Sequence, residues 1–490
     1  MTQTLWLAQR AALAIALMLA FYVIAIGLAA LLFWIPYAEW TYFNRVDIKI
    51  AVFCVITGLA LILAVLPRPD HFADPGVRLT AESNPKLFAE IRSVAEATQQ
   101  AMPADVFLVN EVNAFVSQRG GIMGVGSRRV MGIGLPLIQG LTVGELKAVL
   151  AHEFGHYAAG DVKLGPWIYK TRAAIGRTLE SLSESSLAFI FKAYGELFMR
   201  LTLAISRQQE FLADALAARV THPSAMASAL RRTSGLAPAF STYWTSEVSP
   251  ALSAGYLPPV ATGFTQFLGV ERISTAIAKV IDEEAKTGES SRYDTHPPLR
   301  ERLEALSRLP TPAVMADNRP ASELLGDADR YARELIAFSF PEDAQHLRQI
   351  GWEQLAYDMY PAEWRKTVYQ FAEFLSKHTA DALPVDRAQL AAVGALLPGG
   401  GTRSSEERVS TACGVMSCGV AVALLDLGAT LQTQPGQPFS FHRSGVSIEP
   451  FNDVPKVVSG ELSMAEWKAR CHAIGIAGRP LGALTSSQSS

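Results

Sequence analysis

Across 490 residues, 43 Lys and Arg stand against 46 Asp and Glu, a net charge of −3, with 49% hydrophobic and 18% charged residues. That composition excludes a disordered chain, is lean in charge for a purely soluble one, and lacks the Lys or Arg block of a dedicated nucleic-acid binder. The length suits about three units of ordinary domain size. Four cysteines in so long a chain exclude a disulfide framework, and the close pair Cys413 and Cys418 reads as small core thiols, consistent with a reducing compartment.

Residues 11–35 contain no charge and exceed the ~20 residues a helix needs to cross a hydrocarbon core. The run ends in Trp34, Ile35, Pro36 and Tyr37 instead of the small-residue cleavage site of a signal peptide, which predicts a membrane span with an interfacial aromatic belt. A second span is predicted at about 48–66, with Lys49 and Arg68 at its ends. The two form a hairpin domain over 1–70, joined by a loop containing Trp40, Tyr42 and Phe43. A two-span hairpin returns the chain to its starting side, and Arg10, Arg68 and Arg78 outweigh Arg45 and Lys49, so the rest is expected in the cytoplasm. Pro67, Pro69, Pro75 and Gly76 mark a linker before a soluble domain over 79–309.

In that domain the pattern predicts a helix over 85–100 and strands at 106–109 and 130–133. Between them Gly120, Gly121, Gly124 and Gly126 read as a hairpin turn, since no Lys-Ser/Thr completes a phosphate loop. Thr142 and Glu145 then stand at capping-box spacing before an apolar series of Leu146, Val149, Leu150 and Phe154, and Gly160 supplies the stop.

On that helix lie His152, Glu153 and His156. Two histidines four apart project from one face a turn apart, so their imidazoles can converge on one zinc ion, with Glu153 beside them as general base. Zinc lowers the pKa of a water towards neutrality and polarises a carbonyl, while the carboxylate takes the water proton and returns it to the leaving amine. Two surface histidines on an amphipathic helix would give the same spacing, yet chance supplies this five-residue match in only about one chain in a hundred of this length. Catalytic zinc takes a third protein ligand, for which Glu210 is the candidate, and Asp214, one turn on, is placed to accept a hydrogen bond from a ligand histidine.

Over about residues 85–310 the sequence resembles the gluzincin metallopeptidases that include the HtpX heat-shock protease and the CAAX prenyl endopeptidases. Asn113-Ala114-Phe115 is similar to the family's edge strand, Gly132 through Leu135 and Leu141 to Gly155-His156 to its active-site helix and approach, and 206–214 to its glutamate helix. Thr295-His296-Pro297 with Arg302 is similar to its closing motif. The resemblance implies a mainly α fold with a small β-sheet, an α+β zincin-like domain holding one zinc per chain. It further implies endoproteolysis of protein or peptide substrates at or in a lipid bilayer, in membrane-proximal quality control. Asn113, Ala114 and Phe115 would bind substrate by β-augmentation. His296 would hold the oxyanion or the active-site wall, and Arg302 would anchor its loop through a carboxylate.

One departure stands out. HtpX-like members place two spans between the histidine and glutamate helices, whereas here Lys192, Glu196 and Arg200 put a polar stripe on the apolar segment 187–205. That pattern predicts an amphipathic helix packed on the catalytic domain or lying at the interface.

Residues 310–490, opening with Pro310, Pro312 and Pro320, show no nameable chemistry and are expected to form an α+β region. Helices are predicted at 322–338 and 360–377, then a flexible stretch at 398–401. The uncharged run 409–425 has the length of a marginal third span, but its Ser, Thr, Cys and Gly favour a buried soluble element. A hairpin at 439–450 turns at Ser444-Gly445, Ser463 and Glu466 cap a helix containing Trp467 and Cys471, and 485–490 reads as a tail. The alternative to an enzyme is a zinc-binding membrane scaffold acting through this region; a scaffold has no need of Glu153 as a base.

Overall fold

The hydrophobic run at the N-terminus folds further than its composition suggests. In the computed structural model helix α1 (Thr2–Phe43) continues through Pro36, so Trp40, Tyr42 and Phe43 are helical and the expected loop shrinks to residues 44–47. Asn44 takes a left-handed φ of 49°, and the Asp47 side chain caps α2 (Ile48–Val65) by accepting from the Lys49 and Ile50 N–H groups. The structure describes residues 2–66, 70, 72–121, 126–158, 161–182, 187–287, 296–310, 317–396 and 403–482. Pro67, Pro69, Gly124, Gly160, Thr295, Pro312 and the stretches 398–401 and 485–490 lie outside them. The fold is mainly α with small β-sheets. Its contacts divide it into two compact units, Met1–Ala237 with Ile277–Tyr331 and Pro238–Ala276 with Ala332–Ser490.

The first unit opens with the hairpin. Gly58 on α2 sits where a Cβ would lie 2.9 Å from the Phe33 ring, a close helix contact that a larger residue would prevent. After β1 (Val77–Leu79), helix α3 (Pro85–Ala97) buries Leu87, Ile91 and Val94 along one stripe. A four-stranded sheet follows in the order β1, β2 (Asp105–Val109), β4 (Arg128–Gly134), β3 (Ala114–Arg119). The expected hairpin therefore lies between β3 and β4, which are antiparallel, while β2 runs parallel to β4. The sequence reading missed most of β3 because only its first residues carried a signal.

Helices α4 (Leu135–Gly140), α5 (Val143–Ala158), α6 (Asp161–Ser181) and α7 (Ala188–Val220) complete the frame of the site. The capping box at the start of α5 forms as expected: Thr142 N–H donates to Glu145 at 2.8 Å and Glu145 N–H to Thr142 Oγ1 at 3.3 Å. The amphipathic segment and the glutamate helix prove to be one 33-residue helix, α7. Its N-terminal half packs on the hairpin: Phe191 and Phe198 share a core with Phe21, Ala25 and Ala29 of α1, Leu61 of α2 and Ile175 of α6. Tyr194 donates its hydroxyl to the Leu17 carbonyl. Lys192, Glu196 and Arg200 face outward, as their spacing requires.

Helix α8 (Pro223–Tyr243) leads into the second unit through a π-helical turn, Trp244–Val248, followed by α9 (Ser249–Ser253), β5 (Tyr256–Leu257), α10 (Val260–Gly269) and α11 (Glu271–Thr287). Helix α12 (Leu299–Ser307) returns to the first unit. In the second, α13 (Ala328–Ser339), β6 (Arg348–Gln349), α14 (Trp352–Gln370), α15 (Ala372–Leu375) and α16 (Arg387–Ala395) precede α17 (Ser405–Asp426). Helix α14 starts eight residues before Tyr360, where the sequence predicted the helix to begin, and runs through Pro361 to Gln370. Helix α17 is the core of this unit: Val409, Met416, Val420 and Leu424 pack with Trp364, Leu390, Phe441 and Trp467. Strands β7 (Thr430–Gln432), β8 (Ser440–Arg443) and β9 (Val446–Ile448) form a small sheet whose last turn has Ser444 and Gly445 both at positive φ. Helices α18 (Pro450–Ser459) and α19 (Met464–Ile474) close the chain, the latter with the expected Ser463–Glu466 capping box.

Candidate metal centre

Helices α5 and α7 cross where neither carries bulk. A Cβ added to Gly155 would stand 2.9 Å from the Ala213 Cα. This close approach sets the neighbouring residues face to face: His152 and Glu210 about one turn before the crossing, His156 and Asp214 immediately after it.

The histidine Nε2 atoms lie 3.2 Å apart. From Glu210, Oε2 is 3.5 Å from His152 Nε2 and Oε1 is 3.6 Å from His156 Nε2. Ligands of a tetrahedral zinc at ~2.0–2.1 Å stand about 3.3 Å apart, so these three side chains fit the spacing of such an ion. Chemistry supports the fit. The Nδ1 of His152 is 2.9 Å from Asp214 Oδ1, a distance at which a carboxylate can hold the proton on Nδ1 and leave Nε2 to face Glu210 and His156. Two imidazole nitrogens and a carboxylate so close form a group that could hold a metal ion.

Asp214 is held in turn. Arg302 of α12 donates to both its oxygens, Nε to Oδ2 at 2.8 Å and Nη2 to Oδ1 at 2.6 Å, a bidentate pair buried on both sides. Burial alone would raise the Asp214 carboxyl, but Arg302 and His152 outweigh it and hold it at about 2. Burial would raise Glu210 likewise, and the imidazole of His296, at 2.9 Å, with His152 and Arg302, brings it below the ordinary carboxylate range. Glu210 in return raises His296, which is exposed at the mouth of the site. Glu153 behaves oppositely: burial lifts its carboxyl above the usual range, against the pull of His152 and His156. The site thus sets one carboxylate apart as more basic than its neighbours, the property a general base needs.

Every residue the sequence singled out around the histidines is brought together: His152, Glu153, His156, Glu210, Asp214, His296 and Arg302. Asn113, Ala114 and Phe115 stand apart from these at the start of β3, the edge strand, which contacts α5. Residues 81–309 match the description "Peptidase family M48". They belong to peptidase family M48.

Similarity to individual M48 relatives is modest. The chain is 28% identical over 178 residues to a protease HtpX homolog of Tropheryma whipplei, 32% of this chain and 59% of that protein. It is 23% identical over 298 residues to protease HtpX of Hahella chejuensis, 56% and 89%, and 32% identical over 197 residues to a protease HtpX homolog of Bacteroides fragilis, 35% and 53%. The chain therefore spans less than two thirds of the T. whipplei and B. fragilis relatives.

The M48 domain also uses residues that the sequence reading did not single out as contacts. A Cβ on Gly134 would fall 1.9 Å from the Glu111 carbonyl oxygen and 2.9 Å from that of Asn113, and one on Gly132 would strike the Phe115 ring at 2.3 Å. These alternate glycines of β4 let the start of β3 lie tightly against it. Glycine at every second position of a strand was the available signal.

Proposed function

We propose that this chain is a membrane-anchored zinc metalloendopeptidase. The observation that carries the reading is the meeting of His152, His156 and Glu210, whose ligand atoms all lie within 4.8 Å of one another, beside a carboxylate whose affinity for protons is raised. These three residues would hold one zinc ion. When bound, zinc would supply Lewis acidity to a peptide carbonyl and to an attacking water.

The protein's own residues do the rest. Glu153 accepts a proton from the water and delivers it to the leaving amine, a role its raised basicity suits. Asp214 fixes the tautomer of His152, and Arg302 fixes Asp214. Residues 113–115 offer the backbone of an edge strand, on which an extended peptide can pair without demands on its side chains. His296, exposed and 2.9 Å from Glu210, lines the mouth of the site and is placed to steady the developing oxyanion. Helices α1 and α2, long and apolar enough to cross a membrane, anchor the domain, with Leu19, Val23, Val55 and Ile56 exposed on their outer faces. The charge asymmetry of the flanks directs the M48 domain to the cytoplasm, where unfolded or membrane-proximal proteins are the substrates.

The deciding experiment is Glu153→Gln with zinc content and hydrolysis of an unfolded protein measured together. Stoichiometric zinc with hydrolysis reduced about 10²–10⁴-fold is expected. A zinc-loaded variant cleaving as fast as the wild type would end the proposal.

A further inference from the structure

The second unit holds a cavity of about 200 Å³ whose lining is chemically specific. Trp352, the first residue of α14, donates its indole N–H to the Pro259 carbonyl at 3.0 Å, which fixes the ring. Tyr360, two turns along the helix, meets Phe439 edge to face, with centroids 4.6 Å apart and planes at 64°. These three aromatics and Leu355 form apolar walls, and Glu247 and Gln437 bring polar groups into the same cavity.

Glu247 lies in the five-residue π-helical turn between α8 and α9, a geometry that is rare and concentrates at functional sites. Its Oε1 accepts the Gly436 N–H at 3.1 Å, while the Gly436 carbonyl accepts from Arg272 Nη2 at 3.1 Å. Gly436 has a φ of +78°, and a Cβ there would lie 2.7 Å from the Phe267 ring, so the loop is pinned at a position only glycine fills without strain. The carboxylate is therefore placed in advance. Burial lifts its carboxyl above the ordinary range despite the Gly436 N–H and the nearby Arg272.

We propose that this cavity binds a small organic cation, an alkylammonium group seated against Trp352, Tyr360 and Phe439 with Glu247 as its counter-charge. Aromatic faces attract cations through their quadrupoles, more strongly where water is excluded. An anion would meet the Glu247 carboxylate, and a neutral apolar ligand would strip that carboxylate of water without replacing the lost interaction. The volume admits a group of the size of choline or butylammonium, and no nucleotide.

Isothermal titration of the full-length chain in maltoside micelles tests this with choline, tetramethylammonium and butylammonium chlorides. The control ligand is 3,3-dimethyl-1-butanol, the uncharged isostere of choline. Saturable binding of at least one ammonium ion is expected, weakened about tenfold or more in Glu247→Gln and in Tyr360→Leu. The isostere should bind weaker by a similar factor. Binding of the isostere as tight as that of choline, unchanged binding in a folded Glu247→Gln, or no saturable binding of any ammonium ion at millimolar concentration would each overturn the proposal. Thermal unfolding reports whether the variants are folded, and the isostere comparison on the wild-type chain decides even if both variants fail.

Discussion

Gly155 and Ala213 are the contact on which the metal centre is built: a Cβ on the glycine would stand 2.9 Å from the alanine Cα, backbone that cannot yield as a side-chain end does. Gly155→Ala should therefore spread α5 from α7 and lengthen the 3.5 and 3.6 Å separations of Glu210 from the two histidines. Overpacking of this kind costs about 1–3 kcal/mol, and zinc affinity is expected to fall about tenfold or more. Competition with a chromogenic chelator measures the affinity and thermal unfolding the stability. Wild-type zinc affinity in the variant would refute the role of the crossing.

The buried pair of Asp214 and Arg302 predicts a defined acid response. The Asp214 carboxyl sits at about 2 in the fold against an ordinary 3.8, so the unfolded chain binds the proton more readily. Its stabilisation is therefore complete above about pH 4 and is lost as pH falls through about 2, a contribution on the order of 2 kcal/mol. Arg302→Leu leaves a buried carboxylate uncompensated, a loss of about 3–5 kcal/mol at neutral pH. Protonating Asp214 relieves that loss, so in metal-free protein the difference in melting temperature between variant and wild type should narrow from pH 6 to pH 3. A difference constant across that range would show that the pair does not act through charge.

Much of this centre was legible because its parts are local. The spacing of His152 and His156 and that of Glu210 and Asp214 each places two side chains on one helix face, and the Thr142–Glu145 box marks where the first helix begins. What the spacing could not carry was pairing over distance. Nothing local to residues 105–109 says that they run parallel to 128–134 with 114–119 outside, and nothing in 187–205 distinguishes packing on the hairpin from packing on the catalytic domain. The same holds for 238–276, which packs with residues beyond 331 although it lies inside the sequence limits of the M48 domain. Local periodicity reports which face of an element is apolar and is silent on its partner.

Gly134 gives a test of the substrate edge that leaves the metal ligands alone. A methyl group there would overlap the Glu111 carbonyl oxygen, at 1.9 Å, and crowd that of Asn113, so Gly134→Ala must push the chain leading into β3 away from β4. If residues 113–115 receive substrate by backbone pairing, KM for an extended peptide should rise about tenfold with kcat and zinc content little changed. A fall in kcat at constant KM would place the effect in the chemistry and count against the edge as the binding surface.

Among the described residues helix α17 is the third helix whose length and composition would let it cross a membrane, yet 72% of its most apolar window is buried inside the protein, against 28% and 33% for α1 and α2. A lipid-exposed helix has no reason to surround itself with Trp364, Phe441 and Trp467, and Ser417 turns its hydroxyl to the Cys413 and Pro450 carbonyls, the second reaching outside the helix. We therefore expect α17 to lie in the core of a water-exposed unit. Topology reporters inserted at Gly351 and at Gly460, on either side of it, should report the same side of the membrane, and a reporter at Asn44 between α1 and α2 the opposite one. Opposite signals from Gly351 and Gly460 would make α17 a span. Val420→Asp separates the readings a second way: in a packed core it leaves a buried carboxylate without a partner and should unfold the unit cooperatively.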